Sequence, residues 1–250
     1  MATEEHGGEA AHGPMEQFEI KPLIDLNLGG YDISYTNSAL FMTLAVICTF
    51  SLFWAATHKR TMVPSRIQSI GELMFEFIAG MVKENVGKEG IKYFPFIFTL
   101  FVFILFGNVL GLLPYSFTFT SHIVINAALA VFIFVAVTII GFATHGLHYF
   151  RLFCPSGTPL PVAIVLVPIE IMSYFIRPVS LSLRLFANML AGHVLLKVLA
   201  GFVISLGIFG IVPFLAVGAV TMLEIMVALI QAYVFALLST IYLNDAVHLH

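Results

Sequence analysis

Arg184, His193, Glu224 and Gln231 are an unusual set to find inside some eighty apolar residues, Val162 to Leu243. Glu170, Arg177, Asn188 and Lys197 complete the polar content that bears on chemistry there. An ionisable group at membrane depth is costly. For a central arginine, figures run from about 2.5–3.5 kcal/mol on insertion scales to roughly 10–17 in simulations. Such groups face protein or water and are functional suspects. Arginine keeps its proton in a protein, so Arg184 can supply a fixed positive potential but cannot pass a proton on. His193 and Glu224 can gain and lose protons, and imidazole does so near neutrality.

Their spacing predicts how they meet. If His193 faces Glu224 across an antiparallel helix pair, the pivot is their mean position, about residue 208.5. If Arg184 faces Gln231, the pivot is about 207.5. Both fall in "SLGIFGIVP", where Gly207, Gly210 and Pro213 cluster and a break is expected independently. The hairpin sets Arg184 and Gln231 roughly 13 Å along the helix from His193 and Glu224. Nine residues is half a turn out of phase, so Arg184 and His193 point from opposite faces, while Asn188 shares the face of Arg184. One face can meet a partner while the other lines a wet channel. Other polar residues have plainer readings: Lys197 snorkels to the interface, and Arg177, just before Pro178, neutralises Glu170 or caps freed carbonyls. Asn108 and Asn126 make interhelical hydrogen bonds, and His145 and His148 lie at a membrane boundary.

The elements that must hold these residues are helices. Sixty per cent of the 250 residues are hydrophobic and ten per cent charged, too little polar surface for a soluble domain of this size. Several apolar blocks reach the ~20 residues needed to cross ~30 Å of hydrocarbon. The fold class is therefore an all-α polytopic membrane protein. It has about five membrane-crossing helices and one amphipathic interfacial helix, and the last two crossings form a long tilted hairpin. Residues 1–37 form an acidic arm, expected to be poorly ordered and outside, and 38–57 the first crossing. Residues 58–92 hold six of the eleven basic residues. There Ile67, Ile70, Met74, Phe77, Ile78 and Met81 recur at helical spacing, opposite Glu72, Glu76 and Lys83. Residues 93–145 form a transmembrane hairpin, 146–161 a cytoplasmic loop, 162–243 the long hairpin and 244–250 a tail. The positive-inside tendency places the basic segment and the Arg151 loop in the cytoplasm, so the N-terminus lies outside and the C-terminus inside. Cys48 and Cys154 are isolated and make no metal spacing. No metal and no cofactor is expected.

At "SLSLRLFANMLAGHVLL" the chain strongly resembles the a subunit of F-type ATP synthases. The pattern L-R-L-x-x-N-x-x-A-G is present as Leu183, Arg184, Leu185, Asn188, Ala191 and Gly192, and "GNVLGLLPYSFTFTSH" is a second match. The resemblance spans about residues 38–243. It implies a non-catalytic, proton-translocating stator subunit with two offset half-channels. Arg184 is the implied electrostatic gate, facing the carboxylate of a rotating c-subunit ring, with Asn188 and Gln231 as its polar neighbours. His193 and Glu224 are implied for the outer half-channel and Glu170 for the inner one. The His-first order is that of mitochondrial and alphaproteobacterial members. With the long acidic arm it implies a bacterial inner membrane. Implied partners are the c ring, b-type peripheral stalk subunits, the F1 sector indirectly, and lipid, with no nucleic acid. The rival reading is a stand-alone ion-coupled transporter with its site at the Arg184 level, for which an internal repeat is usual but absent. An intramembrane protease is weaker still, because no HExxH, paired aspartates or serine with a base is evident.

Overall fold

The computed structural model describes residues 20–25, 27–28, 31–32, 34–58, 64–113, 116–153 and 160–248. The arm through residue 19, Lys59, Arg60, Cys154 and His250 lie outside the described residues. Six helices dominate: α1 Asn37–His58, α2 Arg66–Val86, α3 Phe94–Gly111, α4 Ile123–His145, α5 Leu160–Ser205 and α6 Ile211–Val247. Among the described residues, five helical stretches are long and apolar enough to cross a membrane, and α2 is not one of them. The arm is not wholly irregular. Pro22–Ile24 pairs antiparallel with Tyr35–Thr36, and Asn27–Leu28 with Tyr31–Asp32. Leu, Ile and Tyr on either side of the Gly29–Gly30 pair favour such a ribbon.

Helices α5 and α6 decide the architecture. At 1.5 Å per residue, the 46 residues of α5 span about 69 Å and the 37 of α6 about 55 Å. A hydrocarbon core of ~30 Å cannot hold either upright, so the pair runs obliquely. Pro168 and Pro178 lie inside α5 and remove two ladder hydrogen bonds, which lets it bend. The turn between them is a single 3₁₀ stretch, Gly207–Gly210, entered through Gly207 at φ 57°. A side chain there would be strained, which is why glycine closes this hairpin. Across the turn α5 packs mainly on α6 and α4, while α3 fills the other side of α6. The core of α3, α4 and α6 centres on Ile97, Val102, Ile104, Ile133, Ala232, Phe235 and Ala236, with Leu181, Leu185 and Met189 of α5 closing it.

Helix α2 begins at Ser65, whose hydroxyl accepts from the Gln68 amide. It turns Gln68, Gly71, Ile78, Met81 and Val82 inward and leaves Ile67, Ile70, Leu73 and Phe77 exposed. An exposed apolar face beside membrane-length helices is what an interfacial helix presents to lipid. The α3–α4 connection also matters for the site. Gly111 ends α3, and a Cβ there would collide with the side chain of Thr118. Its absence lets the segment Ser116–Ser121 fold back against α3. Asn126 Nδ2 donates to the Thr120 carbonyl at 2.6 Å, and Ser121 Oγ to the Thr118 carbonyl at 2.6 Å, which fixes the fold-back.

Candidate functional site

The hairpin brings its polar residues together in two groups. In the first, Gln231 of α6 is buried and donates through Nε2 to the backbone carbonyl of Arg184 at 3.2 Å. The contact pins the α5 backbone and leaves the guanidinium out of it. The Arg184 side chain lies on the exposed flank of α5, and Asn188, one turn on, is exposed beside it. Leu185 and Met189, the alternate positions, are buried against the bundle. The motif therefore interleaves anchoring apolar residues with an outward polar pair. Arg184 makes no ion pair among the described residues.

In the second group, His193 Nδ1 lies 3.9 Å from Glu224 Oε1, with the two side chains only 12% and 7% exposed. Gly192 makes this approach possible, because a Cβ there would overlap the Glu224 carboxylate. Both oxygens of Glu224 are buried without a hydrogen-bond partner among the described residues. The imidazole is held on two sides. Nδ1 is 2.9 Å from the Met189 carbonyl, and Nε2 is 2.9 Å from the Gly111 carbonyl and 3.0 Å from Thr118 Oγ1. A carbonyl oxygen only accepts, so either contact is a hydrogen bond when that nitrogen carries hydrogen.

The remaining polar residues are spread along the hairpin. Glu170 is half-buried near the start of α5, with Pro178 between it and Arg184. Arg177 pairs neither with Glu170 nor with freed carbonyls. Its Nη1 donates to Asp245 Oδ2 at 2.9 Å, and its guanidinium lies over the rings of Tyr174 and Tyr242 at 5.9 and 5.1 Å. The partner was missed because Asp245 follows the last apolar residue counted into the hairpin, whereas α6 continues to Val247. Asn108 Nδ2 reaches the Ala228 carbonyl on α6 at 3.3 Å, an interhelical bond, while Asn126 instead ties down the α3–α4 connection. His145 Nε2 donates to the Val247 carbonyl at 2.9 Å, joining the ends of α4 and α6. Lys197 is half-buried. His122 caps the start of α4, stacked on Phe117 at 5.1 Å between centroids, and burial lowers its pKa from the usual imidazole range. Among the described residues no cluster of His, Cys, Asp or Glu could hold a metal ion.

Thr118 and the Gly111 carbonyl are the site groups that sequence reasoning did not reach. The signal was a buried-type threonine in a connection without Lys or Arg, too weak to assign a partner 75 residues away.

Comparison with known proteins gives a consistent result. The family profile described as ATP synthase A chain matches residues 39–244. The chain is similar to the ATP synthase subunit a of Rhodospirillum rubrum, 60% identical over 240 residues that cover 96% of this chain and 100% of that one. It is 55% identical over 245 residues to the subunit a of Paramagnetospirillum magneticum, covering 95% and 99%. For the subunit a of Mesorhizobium japonicum the identity is 49% over 242 residues, covering 94% and 96%.

Proposed function

The chain belongs to the ATP synthase A chain family, and from that premise we propose that it carries protons past a rotating partner through two offset half-channels. It is a multi-pass, non-catalytic membrane subunit of the bacterial type. Our reading is that protons enter from outside past His193 and Glu224 and neutralise a carboxylate on a ring of c subunits. Neutral, that carboxylate tolerates lipid and travels with the ring. It gives up its proton in an inner half-channel near Glu170. Ionised again, it is drawn to Arg184, whose fixed charge also repels protons and keeps the half-channels apart. Moving one charge through 100 mV is worth about 2.3 kcal/mol, and the offset between entry and exit converts it into rotation.

The observation that carries this reading is the exposed Arg184, a permanent cation on the outward flank of the hairpin that makes no ion pair among the described residues. An internal cation of that cost calls for an anion, and the exposed flank leaves the place for one on another chain. Asn188 shares the flank, and Gln231 sets the backbone from behind. Further partners in this reading are b-type stalk subunits and, through them, the F1 sector. With the five membrane-length helices found among the described residues, our reading sets the termini on opposite sides. The basic segment 58–92 and loop 146–161 face the cytoplasm with the 244–250 tail, and the 1–37 arm lies outside.

The test is ATP-driven proton pumping in inverted inner-membrane vesicles carrying Arg184→Ala, with assembly of the complex followed by immunoblot. Pumping lost at normal assembly, with an added passive proton leak, is the expected result. Normal pumping would overturn the gate assignment and make Arg184 structural.

A further inference from the structure

We propose that the Thr118 hydroxyl is a positioning group for His193, the partner at Nε2 that can accept from the ring in one protonation state and donate to it in the other. The inference rests on the reading of His193 as part of the outer half-channel.

The geometry poses a problem that such a group solves. Two backbone carbonyls face the ring, Met189 at Nδ1 and Gly111 at Nε2, each at 2.9 Å. With hydrogen on both nitrogens the ring satisfies both. Thr118 Oγ1 then accepts from Nε2–H as a second acceptor at 3.0 Å and donates its own hydrogen to the Gly111 carbonyl, also at 3.0 Å. When Nε2 loses its proton, its lone pair is left facing a carbonyl lone pair. An unsatisfied buried acceptor of this kind costs free energy comparable to a lost hydrogen bond. Neither carbonyl can respond, because a carbonyl has nothing to donate. Thr118 can. Rotation about its Cβ–Oγ1 bond swings the hydroxyl hydrogen from the Gly111 carbonyl to the bare Nε2, with no heavy atom displaced.

Ser116 makes the exchange affordable for Gly111. Its Oγ lies 2.9 Å from the same carbonyl and 2.6 Å from that of Leu113, so a donor stays available when Thr118 turns away. No covalent bond changes at Thr118. The proton leaving Nε2 passes to water of the half-channel, and the hydroxyl keeps its own hydrogen. Among the described residues, Glu224 of α6 faces the ring on the Nδ1 side, and the Gly111 carbonyl at the end of α3 and Thr118 of the α3–α4 connection face Nε2. Thr118 is itself 2% exposed and held by the fold-back described above, so its oxygen is placed by the bundle.

The test separates the hydroxyl from the methyl. Thr118→Val keeps the shape and loses the oxygen, while Thr118→Ser keeps the oxygen and loses the methyl. Both are assayed for ATP-driven pumping in inverted vesicles bearing the whole complex, beside His193→Ala and the Thr118→Val/His193→Ala double variant. The expected result is a drop of about fivefold for valine, the size of one hydrogen bond. Serine recovers pumping, and the double variant is no worse than His193→Ala alone. Normal pumping in Thr118→Val while His193→Ala fails overturns this inference and leaves the half-channel reading standing. Equal damage from valine and serine overturns it in favour of packing. Normal pumping in His193→Ala removes the half-channel reading and this inference together.

Discussion

Gly192→Ala is the substitution whose effect follows most directly from the coordinates. The added Cβ would occupy the place of the Glu224 carboxylate, the far end of a flexible side chain, so the carboxylate yields before the helices do. Restoring a normal carbon contact of ~3.5–4 Å moves it by roughly 2 Å. At 3.9 Å an imidazolium–carboxylate pair is worth about 4.3 kcal/mol at an effective dielectric constant of ~20, and at about 6 Å it is worth about 2.8. The coupling lost is therefore about 1.5 kcal/mol, or roughly tenfold in the proton exchange it governs. Overpacking of 1–3 kcal/mol could instead act on assembly, so the immunoblot is read first. The expected outcome is a normally assembled complex whose ATP-driven pumping falls about tenfold. Adding Glu224→Asp, one methylene shorter, withdraws the carboxylate from the new methyl and recovers part of the loss. Normal pumping in Gly192→Ala refutes the claim that the 3.9 Å approach matters. A loss that Glu224→Asp deepens would show that the glycine serves helix packing instead.

Further outcomes follow from the same structure. Gln231→Leu keeps the buried volume but frees the Arg184 carbonyl, so we expect pumping to fall by about threefold to tenfold, the worth of one hydrogen bond, with little change in the melting temperature of the purified complex. Arg177→Ala and Asp245→Ala each break a partly buried pair; each should cost about 1–2 kcal/mol, and the double variant less than their sum, measured as thermal melting in detergent. His122 has its pKa lowered by burial, so the unfolded segment binds more protons below its ordinary value of about 6.5. Stability of the α3–α4 connection is then full above that pH and is lost as pH falls through the lower folded value. Corrected for the intrinsic amide rates, the protection of residues 116–122 against hydrogen exchange should be lower at pH 5.5 than at 7.5, and His122→Phe should abolish the difference.

The hairpin was legible because two constraints met. Counting from His193 to Glu224 and from Arg184 to Gln231 located one turn, and Gly207 and Gly210 located the same one; the described helices close there. Membrane length was legible from composition alone. What escaped were contacts set by neither period nor composition. The Gly111 carbonyl has no side-chain signature, and Thr118 reaches His193 only because a glycine allows a connection to fold back. Helix α2 shows a different limit. Its apolar period grouped Ile67, Ile70 and Phe77, which face outward, with Ile78 and Met81, which pack inward beside Gln68 and Gly71. Beside a bilayer, greasiness marks the lipid side as readily as the core.

The oblique run of α5 bears on how the chain is made. It places Glu170, Arg177 and Arg184 within fifteen residues. At about 2.5–3.5 kcal/mol for each ion near the bilayer centre, that stretch is a poor candidate to leave the insertion machinery by itself. One group that relieves it sits on α6, where Asp245 answers Arg177. Release of the two helices into lipid as one unit would let the Arg177 guanidinium enter already paired with Asp245.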